Sequence, residues 1–341
     1  MAPLASWIAS RPKTSVVGAA IALRRWWGLD GDLEDLPSER DRNLLVRGND
    51  GVPTHVLKIA NLDEADDFLA CQDMAMTRLA NAGVPVQQVV NTIDGRDLVP
   101  LGDPGPPFAR VLTWLPGKTL ASVGAPTTDL LTDLGAVMGR CATALLDFDH
   151  PAAHRDFPWD VLRADAVVAG ALDEIEDVGR RTLLAAVLDR LDADLVPRFT
   201  MLRRSVIHND ANDHNILVGE DGRRVVGLLD FGDMIHSITA HEAAVACAYA
   251  MLDRDEPLNV MQAIIHGFVA ECPLTADEVD ALPQLAIARL ATSVAMSARQ
   301  GRLSDDPYLR VSEAPAWDLL GRLHAIAPSE LRIAAHEAAA R

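Results

Sequence analysis

The sequence predicts an α+β protein in two parts, a small β-rich N-terminal lobe over residues 1–115 and a larger helical lobe over 116–341. Three observations lead there. Runs of strand type crowd the first third of the chain, long helical runs follow the Pro116-Gly117 punctuation, and one strand-rich island, residues 205–229, interrupts the helices around a dense polar loop.

Taken in order, residues 1–14 read as a loose leader, and 16–27 as a short amphipathic helix that Gly28 ends. "NLLVRG" and "HVLKIA", joined by a turn over 49–53, form a β-hairpin. A helix over about 64–81 has apolar positions at Phe68, Leu69, Met76 and Leu79 and stops at Gly83. "VPVQQVVNT" and "FARVLTWL" are further strands. Beyond Pro116, helices are expected over 127–147, 163–168, 180–195, 240–252, 260–271 and 277–299. Ser237 or Thr239 is placed to cap the one beginning near residue 240. The tail "SELRIAAHEAAAR" has helical apolar spacing; it either packs on the helical lobe or leads toward a fused partner.

Composition narrows the function. The 341 residues carry 49 acidic against 31 basic side chains, a formal charge of −18. That excess argues against nucleic acid or an anionic membrane as partner and suits a cationic or zwitterionic substrate. Cys71, Cys141, Cys247 and Cys272 form no CxxC pair, so free thiols in a reducing compartment are expected. No apolar run reaches the ~18 residues of a membrane span, and the chain reads as cytoplasmic. Its oligomeric state is left open.

Within the island, one strand leads into the loop at His208 and another leads out after Asn215. A turn over 219–222 then delivers Asp230, Phe231 and Gly232. Asp210, Asn215 and Asp230 would therefore meet at one end of a short hairpin. Phosphoryl transfer needs a metal ion held by oxygen ligands and a carboxylate that orients the attacking hydroxyl. Asn215 and Asp230 offer the ligands and Asp210 the carboxylate, at the spacing of a kinase catalytic loop followed by an Asp-Phe-Gly corner. An ordinary ionised carboxylate suffices for such a base, and His208 would brace the loop.

"HNDANDHNILV" and "LLDFGDMIHS" resemble the aminoglycoside phosphotransferase and choline kinase family, which has a kinase-like fold. "LPSERDRNLLVR", "HVLKIAN", "AGVPV" and "LPGKTLA" are similar to its hydroxylysine-kinase-like branch, which includes domains fused to class III aminotransferases. The resemblance implies a Mg²⁺-dependent kinase that uses ATP or GTP on a small hydroxylated amine, an amino acid or an aminoglycoside-like acceptor. It assigns Asp210 as base, Asn215 and Asp230 as Mg²⁺ ligands and Lys58 as the lysine on the α/β phosphates. The loop 38–43, with Ser38 and Asn43, would cover the phosphates, and residues 111–115, including Thr113 and Leu115, would offer backbone groups to the purine. Asp233 is expected to contact the substrate, and Glu242 either does the same or has a solvated or capping role.

Two departures stand out. "SERDRN" contains no glycine, so side chains and backbone donors must replace a Gly-rich loop. The position where many members carry the glutamate that pairs Lys58 is Gln72, which leaves the lysine's acidic partner unassigned. Both departures motivate an alternative, a nucleotide-binding regulator without catalysis. A further alternative takes His208, Asp210, Asp213 and His214 as the ligands of a metallohydrolase. "PGKTL" is not a P-loop, because Leu112 stands where that loop requires glycine.

Overall fold

A computed structural model of the chain describes residues 12–38, 40–102, 105–300 and 313–341. The expected leader therefore lies mostly outside the described residues, as does Glu39 of the loop 38–43. The chain divides into two compact units that part between Pro116 and Gly117.

The first unit opens with α1 (Val16–Trp27), where Ser15 accepts the Gly18 N–H as N-cap and Gly28 closes the helix at φ 66°. That left-handed conformation is open to glycine at little cost, which is why the helix ends there. Next come β1 (Asp32–Leu36), β2 (Arg42–Arg47), β3 (Pro53–Ile59), α2 (Asp66–Asn81), β4 (Val89–Val90), β5 (Val99–Gly102) and β6 (Gly105–Thr113). They build an antiparallel sheet in the order β1-β2-β3-β6-β4, with β5 on β6. Leu44, Val46, Leu57, Ile59, Ala109 and Val111 fill one face and pack with Ala19, Leu23 and Trp27 of α1. Each large apolar side chain buried this way contributes about 1.5–3 kcal/mol.

The strand expected over 84–92 shrinks to Val89–Val90, because Gln87 and Gln88 turn aside to bond Thr113. Strand β1 was not anticipated. Its sequence "DLEDL" reads as a polar turn, but it lies on the sheet edge with acidic side chains exposed, where charge discourages further strand pairing.

The second unit comprises β7 (Lys118–Thr119), α3 (Thr128–Leu145), α4 (Ala164–Ala169), α5 (Val178–Asp194), β8 (Arg204–Ile207), β9 (Ile216–Val218), β10 (Val225–Leu228), β11 (Ile235–Ile238), α6 (His241–Ala250), α7 (Pro257–Glu271), α8 (Ala276–Gln300), α9 (Glu313–Ala325) and α10 (Pro328–Ala339). Helices α3 and α7 approach closely at two glycines. A Cβ on Gly135 would lie 2.0 Å from the Ile264 carbonyl oxygen, and one on Gly267 would lie 1.9 Å from that of Thr132.

The island is two small sheets rather than one: β9 pairs with β10 and β7, while β8 pairs with β11. Neither Ser237 nor Thr239 caps α6. Ser237 donates to Asp160, and the Thr239 hydroxyl meets that of Ser205 at 2.9 Å. The tail helix α10 packs on its own unit, burying Leu331, Ala334, Ala335 and Ala338. All four cysteines are free and buried, and among the described residues no helix is long and apolar enough to cross a membrane.

Candidate active site

The loop after β8 is held from behind. The imidazole of His208 is wholly buried, its Nδ1 accepts the Asp210 N–H at 3.2 Å, and its Nε2 donates to the Leu229 carbonyl at 2.9 Å. One neutral tautomer serves both bonds, and burial lowers the imidazole pKa to about 4, which keeps it neutral. Phe231 packs edge-on against the same ring at 4.7 Å. His208 thus fastens the loop to the segment after β10.

With both nitrogens engaged, His208 has no lone pair for a metal. Among the described residues no group of three or more His, Cys, Asp or Glu is arranged to hold a metal ion, and His208 acts as a brace in this loop and not as a ligand.

Asp210 occupies the front of the loop. Its Oδ1 accepts from Asn212 Nδ2 at 3.0 Å and from Arg289 Nη2 at 3.1 Å, and its Oδ2 accepts from Asn215 Nδ2 at 2.7 Å. Asn212 also accepts the His214 and Asn215 N–H groups, which makes the turn. Because Asn215 spends its Nδ2 on Asp210, the atom of its amide with ligand chemistry is Oδ1. The Leu229 N–H donates to the Asn215 carbonyl at 2.8 Å, so Asn215 and the Asp230 corner do meet at the end of the β9–β10 hairpin. Asp230 sits at φ 55°, and its Oδ1 accepts the Gly232 N–H at 3.0 Å.

The electrostatics differ from the sequence expectation. Burial pushes the Asp210 carboxyl well above the ordinary carboxylate range. Asp233 adds to that shift, Arg289 opposes it, and Asp230 adds a further increment. A concentration of carboxylates around one half-buried group makes its charged form harder to sustain.

Glu242, expected to face substrate or solvent, is fully buried behind the loop, where its Oε2 accepts the His208 N–H at 2.7 Å. Burial raises its carboxyl to about 7. Asp233 is 8% exposed, and its carbonyl accepts from the buried Asn209, a left-handed residue at φ 66° that also bonds the Trp159 carbonyl. Sequence reading passed over Asn209, Trp159, Tyr249 and Arg289. The available signal for Arg289 was a lone cation inside the apolar run "LAIARLATSV".

In the first unit, Lys58 Nζ lies 3.2 Å from Asp41 Oδ2, an acid of the loop 38–43, and its charge also reaches Asp73 of α2. Gln72 and Asp73 of α2 bond Arg110, and the Arg110–Asp73 pair is almost fully buried. Burial raises the Asp73 carboxyl against the pull of Arg110. Lys58 is in register with Asn43 on β2 and with Arg110 on β6, so Asn43 belongs to a strand beside the lysine and not to the loop. The Thr113 N–H donates to the Gln88 carbonyl, and its own carbonyl accepts from Gln87. The Thr113 N–H is therefore engaged within its own unit, and its carbonyl already accepts one bond. Ser38 is half-buried.

With this geometry in place, comparison with known proteins is direct. Residues 32–276 match the phosphotransferase enzyme family. The hydroxylysine kinase of Mus musculus is 30% identical over 319 residues, covering 85% of this chain and 84% of that protein. The homoserine kinase of Acidiphilium cryptum (strain JF-5) is 30% identical over 214 residues, covering 62% of this chain and 63% of that protein. Among solved structures, a microcompartment-associated aminopropanol kinase superposes with a TM-score of 0.71 at 19% identity, covering 96% of this chain and 99% of that one, so the fold is that of a small-molecule kinase. With its match extending from β1 to the start of α8, the chain belongs to the phosphotransferase enzyme family.

Proposed function

We propose that the protein is a small-molecule kinase that transfers the γ-phosphate of ATP or GTP to a hydroxyl of a small hydroxylated amine or amino acid, with Mg²⁺ as its metal. The observation that carries this reading is the fixed Asp210 carboxylate, held by Asn212, Asn215 and Arg289, with Asp230 at the end of the same hairpin. Asn215 Oδ1 and the Asp230 carboxylate are hard oxygen donors. Two protein ligands completed by phosphate oxygens and water are what Mg²⁺ takes in phosphotransfer sites, so the residues fit the ion. When bound, it neutralises charge that develops on the phosphate oxygens.

The protein's own residues account for the rest. Asp210 aligns the acceptor hydroxyl and receives its proton. Asn212 and Asn215 fix its rotamer, which makes catalysis chiefly a matter of positioning. Lys58, kept in place by Asp41, serves as the cation for nucleotide phosphates. A catalytically silent nucleotide binder was suggested partly by Gln72 in place of glutamate. The Asp41 carboxylate beside Lys58 supports the catalytic reading instead.

The test is calorimetric binding of ATP and of GTP, with and without Mg²⁺, to the wild type and to Asp230→Asn. Mg²⁺-dependent binding that the substitution weakens is expected. If neither nucleotide binds, the kinase reading fails.

A further inference from the structure

We infer that Arg289 binds the carboxylate of the acceptor, which makes the substrate a hydroxylated amino acid and not a simple amino alcohol or an aminoglycoside. This rests on the kinase reading above and specifies its substrate class.

Arg289 lies on α8 with its side chain 2% exposed. Its Nη2 donates to Asp210 Oδ1 at 3.1 Å and its Nε to the Tyr249 hydroxyl at 3.3 Å. The guanidinium carbon sits 4.4 Å from the centroid of the Trp159 ring and 5.4 Å from that of Tyr249. Nη1 is buried and has no hydrogen-bond partner among the described residues. A buried cation is costly unless its donors are paired, and an orphaned guanidinium nitrogen beside the reacting carboxylate calls for a ligand.

The choice of side chain points the same way. A lysine would supply Asp210 with a counter-charge, but only arginine holds one acceptor on one nitrogen and presents a second nitrogen rigidly to another. The aromatic rings fix the plane of the guanidinium, so the free end has a set direction. An anion that small and that close to Asp210 is best met by a carboxylate. Asp210 and Asp233 provide the negative field an ammonium group requires, so the site is complementary to a zwitterion. With the acceptor hydroxyl at Asp210 and the carboxylate at Nη1, the path between them is three hydrogen bonds and the width of the guanidinium, about 11 Å at most, a limit that an acceptor with a few carbons between hydroxyl and carboxylate satisfies. Nη1 is buried, so a carboxylate reaches it by displacing what covers that nitrogen.

The experiment compares matched acceptors that differ only in the carboxylate. Homoserine is set against 3-aminopropan-1-ol, and 5-hydroxylysine against 1,5-diaminopentan-2-ol, with kcat/KM measured for the wild type, Arg289→Lys and Arg289→Met under saturating Mg²⁺-nucleotide. In at least one pair the wild type should favour the carboxylated member by about 10–10²-fold, the worth of a charge-assisted hydrogen bond. Arg289→Met should lower the activity toward both members, because Asp210 loses a partner, and should also collapse their ratio toward one. Arg289→Lys should retain part of the ratio. A role confined to holding Asp210 would reduce both rates and leave the ratio intact, which overturns the assignment.

Equal or better use of the amino alcohols by the wild type overturns it too. So does failure of both carboxylated members to bind or react while Mg²⁺-nucleotide still binds; in both outcomes the kinase reading stands. If thermal unfolding shows that Arg289→Met does not fold, the wild-type and Arg289→Lys ratios decide. Loss of all nucleotide binding by the wild type counts against the kinase reading itself.

Discussion

Replacing Glu242 by glutamine should change how the stability of the protein depends on pH. The carboxyl is fully buried, and burial raises it from 4.5 to about 7, despite hydrogen bonds from the His208 and Asn209 N–H groups and the charge of Arg289. Between those values the folded protein keeps a proton that the unfolded chain has released, so stability falls as pH rises. The contribution is complete below the unfolded value near 4.5 and is lost as pH passes through about 7. At 1.36 kcal/mol for each tenfold change in proton affinity, its full size is about 3 kcal/mol, of which about 2–3 kcal/mol disappears between pH 5 and 8. Glutamine cannot ionise, yet its amide oxygen can still accept the His208 N–H. Urea unfolding of wild type and Glu242→Gln at pH 5 and pH 8 therefore gives two stability differences, and the variant should gain about 2–3 kcal/mol on the wild type between them. His208 and His241, whose pKa values burial lowers to about 4 and about 3, titrate alike in both proteins and cancel. A constant offset between the two proteins across that range would refute the reasoning.

Three further outcomes follow from particular contacts. Asp210→Asn should keep the fold and nucleotide binding while turnover drops about 10²–10⁴-fold in a steady-state assay, and unchanged turnover would remove Asp210 from its role. Arg110→Met strands the buried Asp73 carboxylate and should cost about 3–5 kcal/mol in denaturant unfolding, part of which Arg110→Met combined with Asp73→Asn recovers. Gly267→Ala drives a methyl into the Thr132 carbonyl where α3 meets α7, so its melting temperature should fall with a loss of about 1–3 kcal/mol or more, and a neutral result would mean that the helices part easily.

What could be read from sequence was whatever short-range spacing controls. Helix α1 runs from Val16 to Trp27 because Ser15 and Gly28 cap it locally, and Asn215 meets the Asp230 corner because a tight turn over 219–222 leaves a hairpin little choice. Partner choice across long separations was not legible. Strand β8 finds β11 instead of the hairpin beside it, a pairing that depends on what covers each sheet, and "DLEDL" becomes a strand only because β2 offers it an edge.

Charge was the least legible property. Lys58, Gln72, Asp73 and Arg110 all stood in the sequence, yet which acid serves which base is decided by register across β2, β3 and β6 together with the pitch of α2. Arg110 faces α2 and bonds Gln72 and Asp73, and Lys58 pairs with Asp41. The same holds for Arg289. Helical periodicity places it on the buried side of α8, but periodicity carries no information about which carboxylate lies opposite. Asp210 is 79 residues away in the chain, and only the packing of α8 against α6 and the loop after β8 sets the two side by side. A lone cation in an apolar helical run is therefore a prompt to look for its counter-charge, and here that counter-charge is the carboxylate at the centre of the proposed chemistry.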